Sequence, residues 1–250
     1  MVSDKLVMWL MKSITIVAFA GVFFIQPIAQ DLAYHNFIDE APVFGIYNFW
    51  NVASNIPFLV VGVIGLWQFK RFKLIEDMRL AYWLLFFGLI MVAFGSGYYH
   101  LNPNNHTLVW DRLPMTIAFM SLFSIIISEF IDQRKGKLLL YPFLVIGIGS
   151  VLFWQWSDDL RFYALVQFLP IILMPLIIFN YSSKFTKTSG YWWLLLAYVL
   201  AKFFEFYDSQ VFNLFAGVIS GHSIKHIVAA LGMYILLSTY LGRSRLEKVG

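Results

Sequence analysis

The chain has 250 residues, 60% of them hydrophobic and 13% charged, with no cysteine and a formal net charge of +4. Soluble domains carry about 25% charged residues, so this density excludes an ordinary soluble enzyme, and the missing thiols exclude disulfides, thiolate nucleophiles and cysteine-held metals. The positive charge is spread over short loops rather than gathered in a patch, so no nucleic-acid partner is expected.

An apolar helix needs about 20 residues to cross the hydrocarbon of a bilayer, and eight stretches here are of that kind. The expected fold is therefore an all-α membrane protein, a bundle of seven transmembrane helices preceded by one extra N-terminal helix. The first stretch covers residues 7–29. Lys5 and Lys12 flank its start, which also permits a secretory signal peptide. However, QPIAQ at residues 26–30 is a poor cleavage site and the apolar run is long, so we read residues 1–30 as a retained helix. A polar, acidic extracytoplasmic segment follows over residues 31–46. The seven-span domain is placed at 47–241, with spans at 47–69, 80–100, 111–130, 138–154, 162–179, 191–207 and 222–241. Residues 242–250 form the tail. Asn48, Asn51 and Asn55 recur near helical spacing and share a face expected to look into the bundle.

Lys and Arg in short loops mark the cytoplasmic side. Alternate loops hold Lys70, Arg71, Lys73 and Arg79, then Arg134, Lys135 and Lys137, then Lys184 and Lys187, with Arg243, Arg245 and Lys248 in the tail. Only Arg112, Arg161 and Lys225 fall on the other side, while Lys202 lies within a span. Both termini are then cytoplasmic.

The same orientation gathers five polar residues at the extracytoplasmic ends of three spans. In GSGYYHLNPNNHTLVWD, Ser96 and His100 stand one helical turn apart, and Asp111 opens the next span. In GHSIKH, His222 and His226 are at i,i+4, so both imidazoles converge on one point from one helix face. Three histidines with an open fourth position are the donor set of a catalytic zinc site. Zinc there would acidify a water and polarise a carbonyl. Asp111 is the candidate general base, although its place at a helix start also suits a structural cap; Arg112 beside it is a candidate partner keeping it ionised. Ser96 is a candidate donor to the water or the developing oxyanion, its alternative being close helix packing between Gly95 and Gly97.

Lys202 and Glu205, at i,i+3 in the seventh span, read as an ion pair that fixes packing. Asp208 lies nearer the site and is a candidate hydrogen-bond acceptor for a ligand histidine. Glu129 reads as a packing or interfacial residue, and His35 and His106 as loop residues. Membrane-embedded histidines also allow a transporter or haem protein, but haem ligands more often lie deeper and on facing helices, and an i,i+4 pair on one helix suits a small ion better.

Ser96-x3-His100, Asp111 and His222-x3-His226, in this order and spacing, resemble the alkaline ceramidase family. That family belongs to a superfamily of seven-span hydrolases that includes the adiponectin-receptor-like proteins. FWNVASN at Phe49 to Asn55 is similar to the opening of its first core span, and DRLPM at Asp111 to Met115 to that of its third. The resemblance implies zinc held by His100, His222 and His226, Asp111 as base, Ser96 in support, and cleavage of the amide bond of a ceramide or other N-acyl lipid that enters laterally from the membrane. A lipid-ester hydrolase, or a receptor with a structural zinc, are the other functions it admits. Eukaryotic ceramidases carry calcium-binding acidic residues before the first core span; here Asn48 replaces the last of them, with only Asp39 and Glu40 nearby, which argues against calcium. The short loops resemble a bacterial relative in the inner membrane.

Overall fold

A computed structural model describes residues 3–246, so Lys248 lies outside the described residues. Among these the chain is almost wholly helical, with two isolated bridges (Val43 with Ile46, Phe185 with Arg245) and no sheet. The order is α1 (Asp4–Phe24), α2 (Phe49–Ala53), α3 (Ile56–Trp67), α4 (Arg79–Leu101), α5 (Asn105–Ile126), α6 (Gln133–Ser157), α7 (Arg161–Asn180), α8 (Ser189–Phe206), α9 (Asp208–Leu214) and α10 (Gly221–Gly242).

Seven helical segments are long and apolar enough to cross a membrane, α2 and α3 counting together as one. α8, which carries Lys202 and Glu205 in its last turns, is not among them. It nevertheless runs antiparallel to α10 along that helix's length: Gly190 lies against Thr239, Gly232 against Ala197, and Gly221 against the Phe204 carbonyl. The expected multi-span helical bundle is thus observed.

Two helix starts differ from the sequence reading. α5 begins six residues before Asp111, because Asn104 and Thr107 form a reciprocal capping box. Asn104 Oδ1 accepts the Thr107 N–H at 3.1 Å, and Thr107 Oγ1 accepts the Asn104 N–H at 3.2 Å; such boxes satisfy orphan donors of the first turn. Asp111 therefore sits inside the helix, and its capping role is corrected. The second span is broken: Asn48 is left-handed (φ 52°) ahead of α2, and Ser54 and Asn55 interrupt the helix before α3. The three asparagines do face inward, all buried, and Asn48 Nδ2 donates to the His100 carbonyl at 3.1 Å.

The end of the bundle remote from the histidines is closed by a buried ion pair. α5 ends in a π-helical turn, Ile127–Ile131, which turns Glu129 inward. Arg243 forks onto its two oxygens at 2.7 and 2.9 Å, Tyr191 donates at 2.9 Å, and Tyr82 donates as well. Glu129 is thus a fully paired core residue. At the opposite end α1 is tied to α7 by Arg161, which donates to the Val22 carbonyl at 2.8 Å and is gripped by Asp159 at 2.7 Å. Asp158 accepts the Gln30 N–H at 3.1 Å.

Candidate active site

α4 and α5 touch where the site is built. An atom added at Gly95 would fall 1.9 Å from the Trp110 carbonyl oxygen, so only glycine allows the approach. That contact brings Ser96 on α4 and Asp111 on α5 into the wall of one cavity. α10 is brought in by Gly221, whose added atom would fall 2.2 Å from the Phe204 carbonyl. Its first turn is secured by Asp208, whose Oδ1 accepts the His222 backbone N–H at 2.7 Å. Asp208 thus meets a ligand candidate through the main chain.

His100, in the last turn of α4, meets His222 and His226, in the first two turns of α10. Ring centroids are 4.9 Å (His100–His222), 5.2 Å (His100–His226) and 5.0 Å (His222–His226) apart. One nitrogen from each lies within 4.8 Å of the others, and all three rings are buried. His100 Nδ1 and His222 Nε2 have no hydrogen-bond partner, a costly state for buried polar atoms unless a ligand completes them. His226 Nδ1 meets the Ser54 hydroxyl at 2.9 Å, which leaves Nε2 for coordination; a partner on the other nitrogen is what orients ligating histidines. Borderline-soft imidazole donors suit zinc, so these residues fit the metal.

Several participants were not legible beforehand. Phe37, in the segment between α1 and α2, packs edge-on against His100 and His222, with centroids at 4.7 and 4.6 Å. Ser54 lies at the helix break, 172 residues from its partner. Lys225, between the two α10 histidines, joins Lys202 on Glu205, at 2.5 and 2.6 Å. Arg112 does not pair with Asp111: its Nη2 donates to the Gln30 side-chain oxygen at 2.7 Å. His35 and His106 stay outside the triad, His35 against Tyr99 and Asn105, His106 against Gln155.

A cavity of about 350 Å³ runs from this point into the bundle. Its outer end carries Ser96, Asp111, Lys225, Glu205 and His226; its inner length is apolar, through Leu89, Leu122, Met174 and Met233 to Tyr191. Between Asp111 and Ile126 on α5, both in its wall, the helix rises about 22 Å.

No curated protein and no solved structure matches the chain. A family model described as Ceramidase matches residues 44–247, which include Ser96, Asp111 and all three histidines. Matched over four-fifths of its length, this chain belongs to the ceramidase family.

Proposed function

We propose that the protein is a zinc-dependent hydrolase that cleaves the amide bond of a ceramide or other N-acyl lipid. The observation that carries this reading is the join between the buried three-histidine cluster and a long apolar cavity. Hydrophobic walls with a few polar groups at one end are how a protein receives an acyl chain and fixes its carbonyl. Zinc held by His100, His222 and His226 supplies Lewis acidity at that carbonyl when bound.

The remaining work falls to this chain's own side chains. Asp111 takes up the proton of the attacking water and returns it to the leaving nitrogen, so that the C–N bond breaks to a free acid and an amine. The Ser96 hydroxyl, which lines the cavity with Asp111, donates its one proton to oxygen as charge develops on it. Phe37 keeps bulk water from two of the histidines.

The substrate reaches the cavity from the bilayer. α7 and α8 both line it, yet they pack against each other far less than α4 with α5 or α8 with α10, which supports lateral entry between them. The Lys/Arg bias supports cytoplasmic termini and a site at the extracytoplasmic face. The docking of α1 through Arg161, Asp158 and Asp159 supports a retained helix.

The test is fatty-acid release from N-acyl lipids by detergent-purified protein, with and without chelator, beside Asp111→Asn. Metal-dependent release is expected, falling about 10²–10⁴-fold in the variant. Full release by Asp111→Asn would remove it as the base.

A further inference from the structure

The outer end of the cavity holds an unmatched positive charge. Arg112, Lys202 and Lys225 line it against Asp111 and Glu205. Glu205 is shared by the two lysines. Arg112 forms no ion pair among the described residues, although only 7% of it is exposed. Its guanidinium lies 4.1 Å from the Trp154 ring centroid and 4.6 Å from that of Tyr163, and Gln30 holds one edge at 2.7 Å. Nη1, itself fully buried, has no hydrogen-bond partner among the described residues, and the part of Arg112 that is exposed lines the cavity. A guanidinium offers five donors, and a buried one without a counter-charge is costly until an anion completes it. Arginine's planar fork is matched to carboxylate and phosphate oxygens.

The position says which part of a substrate would bring that anion. Arg112 and Asp111 both line the cavity, so a group held on Arg112 lies in the same chamber as the base. The apolar length of the cavity takes the acyl chain away from this end, toward Tyr191. What remains near Arg112 is the amine half of the lipid.

We propose that Arg112, seated between Trp154 and Tyr163, binds an oxyanion on the amine half of the substrate, so that the preferred lipid is an acidic N-acyl lipid bearing a carboxylate or phosphate. This rests on the amide-hydrolase reading above. The reaction is unchanged: the water oxygen ends on the acyl carbon and the nitrogen leaves as the amine.

The experiment uses metal-loaded protein in nonionic detergent with four substrates sharing one acyl chain. These are an N-acyl amino acid with a free carboxylate, its uncharged carboxamide, an N-acyl lipid with a phosphate headgroup, and a ceramide. For the wild type, kcat/KM for a charged substrate is expected to exceed that for the carboxamide and the ceramide by about ten- to a hundred-fold, chiefly through KM. Whether carboxylate or phosphate leads identifies the anion. Arg112→Gln is expected to bring the charged-to-neutral ratio toward one, and Arg112→Lys to retain part of it. The wild-type comparison needs no variant, so a misfolded Arg112→Gln leaves the inference testable. Equal cleavage of charged and neutral amides by the wild type would overturn the inference and leave the hydrolase standing. So would Arg112→Gln slowing every substrate by one factor, which is the mark of a structural role. Failure to cut any N-acyl lipid would remove the amide-hydrolase reading and the inference with it.

Discussion

Gly95 and Gly97 flank Ser96 and differ in what a methyl group would meet. At Gly95 the added carbon would lie 1.9 Å from the Trp110 carbonyl oxygen and 2.7 Å from its carbon. Carbon and oxygen in such helix–helix contacts normally stay about 3.3–3.6 Å apart. Gly95→Ala therefore requires α4 and α5 to separate by about 1.4 Å or more at this level. The strain of overpacking is about 1–3 kcal/mol. The chemical effect is larger, because the same contact brings Ser96 and Asp111 into one cavity wall, and a misplacement of about 1 Å costs about 10²-fold in rate. Gly97 has no atom within 4 Å of its added carbon. Gly97→Ala should then hold activity and gain helix propensity, up to about 1 kcal/mol. Lipid-amide turnover and thermal unfolding in detergent read both effects. Gly95→Ala with turnover within about twofold of wild type, a shift of under about 0.5 kcal/mol in barrier, would refute the view that this approach positions the site.

Ser54→Ala removes the side-chain partner of His226 Nδ1; zinc affinity, measured by chelator competition, should fall about 10–100-fold. Glu129→Gln breaks a pair in which both members are buried; a loss of about 3–5 kcal/mol is expected in unfolding experiments, because Arg243 is left without its counter-charge. The Arg161 guanidinium holds the Asp159 carboxyl below the usual carboxylate range. Its stabilising effect on the α1 junction is complete above the unfolded value of about 3.9 and is lost as pH falls through the lower folded value. Cross-linking between α1 and α7 should weaken over that acid window, and Asp159→Asn should abolish the pH dependence.

The helical bundle and the histidine cluster were legible because each rests on local pattern. Apolar runs near 20 residues report spans, and i,i+4 spacing reports His222 and His226. Ser96 with His100 reads in the same way. Helix ends were less legible where polar residues extend a span beyond its apolar part. Asn104 and Thr107 lengthened α5 and moved Asp111 inward, although NPNNHT held the capping signal. Long-range partners left no local trace. Arg243 resembled one more basic tail residue and Glu129 an interfacial one, yet they meet across 114 residues in the core. Lys225 reads in the sequence only as one of three basic residues on the extracytoplasmic side, but the turn that holds His222 and His226 carries it onto Glu205. Ser54 and Phe37 reach the histidines only through the folded path of the chain.

The central claim is that His100, His222 and His226 hold one catalytic metal. Elemental analysis of protein purified without chelators, beside His222→Ala and His226→Ala, tests it most directly. About one zinc per chain in the wild type, lost in both variants together with lipid hydrolysis, is the predicted result. No bound metal in the wild type, or equal zinc in the variants, would contradict it.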